Sequence, residues 1–158
     1  MKIKIGKYPK KLTKERKIKI RIDPWDTWNM DHTLALIIVP MLKQLKETKH
    51  GAPGDMPEFK QISDGIQLCF PFYEKEDEAA WEAGQERWNE IMDKMIWSFE
   101  QLLVDDYEAQ FWTEQPQYDK KLKRIAGGVY NERAAQMHEA RMREGFELFG
   151  KYYRGLWD

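Results

Sequence analysis

The sequence predicts a mainly helical α+β fold, with three principal helices and a small N-terminal β-hairpin or sheet. Three observations carry this. Lys2-Ile3-Lys4-Ile5 and Lys17-Ile18-Lys19-Ile20-Arg21-Ile22 alternate with period two, as half-buried strands do. Longer stretches repeat apolar residues every three or four positions, as helices do. Glycines and prolines gather at 51–65 and near Pro116 and Gly127-Gly128, which separates the helical stretches. At 158 residues the chain suits one domain spanning 1–158.

Residues 1–22 read as a basic hairpin arm, with Gly6, Pro9 and the polar run after them as the connection. An isolated two-stranded hairpin is marginal. Its isoleucine face should therefore pack on helices or pair with a third strand, for which Ile66-Gln67-Leu68-Cys69-Phe70 is the candidate. The first helix is expected over 26–50, capped by Asp26 or Asn29 and stopped by Gly51. From Leu34 to Leu42 it is apolar around most of its circumference, so it should be central or lie in an oligomer interface. Pro40 should kink it. Residues 51–65 read as a loop.

A second helix is expected over 76–111. Trp81, Trp88, Ile91, Met95, Phe99, Leu102 and Leu103 give it one apolar face, and Glu82, Glu86, Glu90 and Lys94 a solvated one. The last helix is expected over 129–156, with Met142, Phe146, Phe149, Tyr153 and Leu156 as its stripe. Gly145 and Gly150 inside it each cost about 1 kcal/mol relative to alanine, which a close helix crossing or an approaching partner would explain.

Composition narrows the class. The longest apolar run, Leu34 to Val39, is far short of the roughly 20 residues a membrane span needs, so no membrane partner is expected. The N-terminus is basic but lacks the apolar block of a signal peptide. A single cysteine, Cys69, allows no internal disulfide and fits a reducing cytosol. The net charge of −1 hides an asymmetry: residues 1–22 carry eight lysines, two arginines and one glutamate, a local +9 against −10 elsewhere. Such an arm either meets an anionic partner, with nucleic acid as one alternative, or is an edge strand kept soluble by its lysines, the reading slightly favoured by its regular alternation.

Site chemistry has few candidates. Asp23, Asp26, Asp31 and His32 crowd the mouth of the first helix, but their spacing matches neither a calcium loop nor a zinc site, and aspartates at a helix start serve as caps. Glu74-x-x-Asp77 and Glu90-x-x-Asp93 resemble the magnesium-binding pairs of helical nucleotide pyrophosphohydrolases, which would make the chain a metal-dependent nucleotide hydrolase. Both pairs here flank or sit on one helix, however, and a solvated acidic face accounts for them. Cys69 lies in an apolar segment, and no phosphate-binding glycine loop is present. Anion binding finds more support. Lys43, Lys46 and Lys49 share one side of the first helix, Lys120, Lys121, Lys123 and Arg124 cluster ahead of the double glycine, and Arg133, Arg141, Arg143 and Arg154 follow on the last helix. Guanidinium groups beside Trp25, Trp28, Tyr152 or Tyr153 suit a phosphate with a stacked base.

Several blocks resemble a family of small tailed-bacteriophage proteins: Trp25-Asp26-Thr27-Trp28-Asn29-Met30-Asp31-His32-Thr33-Leu34-Ala35-Leu36-Ile37-Ile38, then Pro40-Met41-Leu42, then Gln44 to Gly51. Met92-Asp93-Lys94-Met95-Ile96-Trp97 with Phe99-Glu100, and the ending Leu148-Phe149-Gly150-Lys151-Tyr152-Tyr153 with Leu156-Trp157-Asp158, resemble the same family. The resemblance implies a viral protein acting in the host cytoplasm of an infected bacterium. It lends no catalytic role and no cofactor. It fits a protein that blocks host defence by binding a host factor or by sequestering a nucleotide signal.

Together these readings favour a binding protein for a small anionic, nucleotide-like ligand or a host protein. The expected site joins Trp25, Asp26, Trp28, Asp31 and His32 with Lys46, Lys49 and His50, plus Arg141, Tyr152 and Tyr153. The two ends of the first helix are roughly 30 Å apart at 1.5 Å per residue. They share a pocket only across an oligomer interface, or else they form two separate sites; the apolar first helix favours a homo-oligomer, which would bring them together.

Overall fold

A computed structural model of the chain describes residues 1–10, 14–53, 75–121 and 123–157. The fold is mainly helical, with three long helices and short antiparallel strand pairs among the described residues. Strands β1 (Lys2–Ile5) and β2 (Ile18–Arg21) form an antiparallel ribbon with Lys2 opposite Arg21, Ile3 opposite Ile20, Lys4 opposite Lys19 and Ile5 opposite Ile18. This register puts every isoleucine on one face and every cation on the other. Gly6 N–H extends the pairing to the Lys17 carbonyl at 2.9 Å. The isoleucine face does not pack on helices, because Ile3, Ile5, Ile18, Ile20 and Ile22 are all exposed. The candidate third strand at 66–70 lies outside the described residues.

Helix α1 (Met30–Thr48) starts later than expected, because Pro24–Thr27 forms a separate 3-10 turn. Asn29 occupies the cap position of α1, but its side chain makes no capping bond. The helix runs on through Pro40, and both Pro40 and Leu36, whose carbonyl the proline leaves unbonded, face solvent. Nor is α1 buried all round. Ala35, Val39 and Leu42 form its inner face, whereas Met30, Leu34, Leu36 and Met41 are exposed.

The central helix is α2 (Lys75–Gln101), which packs against α1 and against α3 (Glu132–Tyr152). The reason lies in doubled apolar positions. Ile91-Met92 and Met95-Ile96, with Trp88 and Phe99, widen one stripe into two buried faces. The α2–α3 crossing is close at Gly145, where an added Cβ would lie 2.7 Å from Ser98 Cβ and 2.5 Å from the Lys94 carbonyl oxygen. Gly150 has nothing within 4 Å of such a Cβ, so the crossing accounts for one glycine only. Ser98 is fully buried there and satisfies itself by donating to the Lys94 carbonyl at 2.9 Å. Asn131 caps α3, accepting the Ala134 N–H at 3.0 Å.

Helix α2 ends ten residues before the expected 111. Asp106, in the left-handed conformation at φ 52°, leads into a 3-10 turn at Tyr107–Phe111. Short strands follow: β3 (Trp112–Glu114), β4 (Gln117–Tyr118), β5 (Arg124–Ala126) and β6 (Val129–Tyr130), with β3 paired to β6 and β4 to β5. The double glycine turns the chain between β5 and β6. Gly127 has φ 66° and lies against the Gln115 carbonyl, so neither its backbone angle nor its surroundings accept a side chain. A 3-10 turn at Tyr153–Gly155 follows α3. Among the described residues, no helix is long and apolar enough to cross a membrane.

Candidate functional site

The tryptophan–aspartate junction first serves the fold. Asp23 N–H donates to Asp26 Oδ2 at 2.8 Å, and the Met1 ammonium donates to Asp26 Oδ1 at 2.8 Å. The bond from Met1, helped by the Asp23 N–H, holds the Asp26 carboxyl below its ordinary value and raises the ammonium above its own. Asp26 thus ties the start of β1 to the turn that follows β2. On that turn Trp25 and Trp28 stack on each other, with ring centroids 5.1 Å apart and planes 14° from parallel. They are 72% and 77% exposed, so two indole faces are presented to solvent at one end of the ribbon.

The other expected site residues do not join them. Asp31 and His32 sit in the first turn of α1, Asp31 exposed and His32 half-buried. At the far end of α1, Lys46 pairs with Asp93 of α2, and Lys49 Nζ donates to Gln85 Oε1 at 3.3 Å. Those lysines staple α1 to α2. His50 follows, exposed. The Arg141 guanidinium lies 3.8 Å above the Trp97 ring. Tyr152 is a core residue at 4% exposure, set edge-on to Trp88, and its hydroxyl accepts from Lys151 Nζ at 2.9 Å. Tyr153 is exposed, against Phe149. The junction keeps Trp25, Asp26 and Trp28 together and leaves the rest dispersed along two helices.

The acidic pair of α2 is likewise engaged, Asp93 by Lys46 and Glu90 by Arg87 at 2.9 Å. Glu74 and the side chain of Asp77 lie outside the described residues. No group of three or more His, Cys, Asp or Glu suited to a metal occurs among the described residues.

The ribbon is electrostatically unusual. Lys2 faces Arg21 and Lys4 faces Lys19 across the strands, and like charges directly opposed destabilise a strand pair. Arg21 approaches Asp23 at 3.9 Å, while Lys2, Lys4, Lys17 and Lys19 make no ion pair among the described residues. Arg16 closes the ribbon from the loop, donating to the Gly6 carbonyl at 2.6 Å and lying 4.1 Å above Tyr8. The ribbon holds its cations at fixed spacing, and of the four in the facing pairs only Arg21 is paired with a carboxylate among the described residues.

The second basic cluster, at 120–124, lies on the β4–β5 turn. There the Asp119 carboxylate accepts the N–H groups of Lys121 and Lys123 at 2.8 Å each, leaving the lysine side chains exposed.

One concave feature escaped sequence reasoning. A cleft of about 430 Å³ opens between the Tyr107–Phe111 turn, β6 and α3, lined by Tyr107, Phe111, Tyr130, Gln136, Glu139 and Arg143. Its α3 residues share one helical face, a visible signal, but its aromatic wall comes from segments without periodicity. Burial raises the Tyr130 phenol above its ordinary value, with Glu108, Tyr107 and Glu132 adding to the effect.

No family model, curated protein or solved structure matches the chain.

Proposed function

We propose that the chain is a nucleic-acid-binding protein that holds single strands on the cationic face of its ribbon, with the Trp25–Trp28 pair as a stacking platform for bases. One observation carries the reading: two cross-strand pairs of like charges, Lys2–Arg21 and Lys4–Lys19, are built into a regular register, and among the described residues only Arg21 of these four has a carboxylate partner, Asp23 at 3.9 Å. A polyanion relieves that repulsion and releases counterions as it binds. Solvent-exposed indole faces suit unpaired bases, whose π-faces are accessible, better than a closed duplex. A lipid surface fits less well, because the apolar and cationic faces point opposite ways and one plane meets only one of them. The small-ligand reading loses support from the scatter of its residues between the two ends of α1 and the core.

The resemblance to tailed-phage proteins supports reading this binding as one in the cytoplasm of an infected bacterium, with a nucleic acid of host or phage as the proposed partner. The test is fluorescence anisotropy with a labelled single-stranded oligonucleotide, titrated with full-length protein at several salt concentrations. Saturable binding that weakens steeply with salt is expected. A mononucleotide panel that binds while oligonucleotides do not would overturn the reading and restore small-ligand capture.

A further inference from the structure

The cleft beside α3 is a second, independent candidate for binding, and its walls are preformed. Tyr107 stacks on His138 at 6.1 Å and 17° from parallel, while Phe111 meets Tyr130 edge-on at 6.1 Å and His138 at 5.2 Å. Tyr130 is held from behind by Trp112 at 4.9 Å, and His138 by Trp97 at 5.1 Å. Two layers of rings therefore fix three aromatic side chains around a space of about 430 Å³. That volume lies within the usual range of small-molecule sites.

The charges around it are mostly negative. Glu139 lines the cleft, and Glu108 and Glu132 lie close enough to Tyr130 to act on its hydroxyl. Arg143, one turn beyond Glu139 on α3, is the single cation among the lining residues. Aromatic faces attract cations through the negative side of the ring quadrupole, and neighbouring carboxylates strengthen that attraction. A phosphate would have to displace this field with one arginine in its favour.

We propose that this cleft binds an organic cation, an alkylammonium or guanidinium group, between Tyr107, Phe111 and Tyr130 with Glu139 as its counter-charge. The group is either a free small molecule or a lysine or arginine side chain of a partner protein. Arg143 opposes the ligand and tunes the affinity downward.

The experiment follows the tyrosine ring signals of the full-length protein by NMR during titration with choline, with a trimethyllysine peptide, and with adenosine monophosphate. Saturable shifts at Tyr107 and Tyr130 are expected with choline and with the peptide, and none with the nucleotide. A peptide that binds tighter than choline identifies a partner side chain as the source; the reverse identifies a free metabolite. Glu139→Gln should weaken choline binding roughly two- to fivefold, the scale of one partly exposed ion contact, and Arg143→Gln should strengthen it by a similar factor. Both residues are exposed, so the variants keep the fold, and unchanged circular dichroism melts verify that. The proposal is overturned if neither cation shifts these rings at any concentration. It is equally overturned if the nucleotide binds in their place, with Arg143→Gln weakening it.

Discussion

Neutralising one facing pair of the ribbon, Lys4→Gln with Lys19→Gln, separates binding from stability. Four cations stand in the two opposed pairs. If each meets a phosphate of a single strand, log K should fall with log salt at a slope of about −2.8, from about −0.7 per contact. Raising salt fourfold would then cost about 50-fold in affinity. With two cations removed the slope drops to about −1.4, and the same fourfold change costs only about sevenfold. The ribbon itself should gain a few tenths of a kcal/mol, because a destabilising like-charge pair is gone. Anisotropy over a salt series reads the slope, and thermal unfolding reads the stability. Equal slopes for the two proteins would show that the cationic face does not meet the strand. A clear loss of stability in the double variant would show that the lysines are engaged in contacts that hold the ribbon rather than repelling one another.

Replacing Trp25 and Trp28 together by alanine should weaken oligonucleotide binding by about 1–3 kcal/mol per stacked base, leaving the salt slope unchanged; an unaltered affinity would remove the stacking role. Gly145→Ala should destabilise the protein by about 1–3 kcal/mol through overpacking against Ser98 and the Lys94 carbonyl, whereas Gly150→Ala should stabilise it by up to about 1 kcal/mol. Equal melting temperatures for these two variants would contradict the crossing geometry. The Asp26–Met1 bond sets a pH window. The ammonium is raised above its ordinary 8.0, so its contribution is full below 8.0 and is lost as pH climbs through the raised value. The carboxyl is lowered below its ordinary 3.8, so its contribution is full above 3.8 and is lost as pH falls through the lowered value. NMR titration of Asp26 should give a midpoint below 3.8, and a midpoint at or above 3.8 would show the bond absent in solution.

The sequence made much of the architecture legible, and particular residues show where it stopped. Period-two alternation located both strands of the ribbon, and even its facing charges could be read once the register was known. What alternation could not say is whether the isoleucine face is covered, since that depends on chain far away. Apolar density did not single out the central helix, because it marked the first helix as either central or interfacial. The run Leu34 to Leu42 is denser than anything in α2, yet a helix is central because partners flank it on both sides, as Trp88, Met92 and Met95 are flanked. The strands after Asp106 are two or three residues long and leave no periodic trace. For the candidate site, Trp25, Asp26 and Trp28 were legible as a unit because they are neighbours in sequence. Lys46, Lys49 and Tyr152 misled because a basic or aromatic side chain on a helix carries no mark of whether its partner is a ligand or the next helix.

The exposed strands of the ribbon have a consequence for how the protein behaves in bulk. Among the described residues, neither outer edge of this two-stranded ribbon is paired with a further strand, and its isoleucines are exposed. Lysines along such strands oppose edge-to-edge pairing of copies. A polyanion that neutralises the lysines removes that barrier, so solubility should depend on the ratio of nucleotide phosphate to protein. Near charge balance, chains brought side by side on one strand would be free to zip their ribbons together. Light scattering should then peak near charge equivalence and clear again with either component in excess.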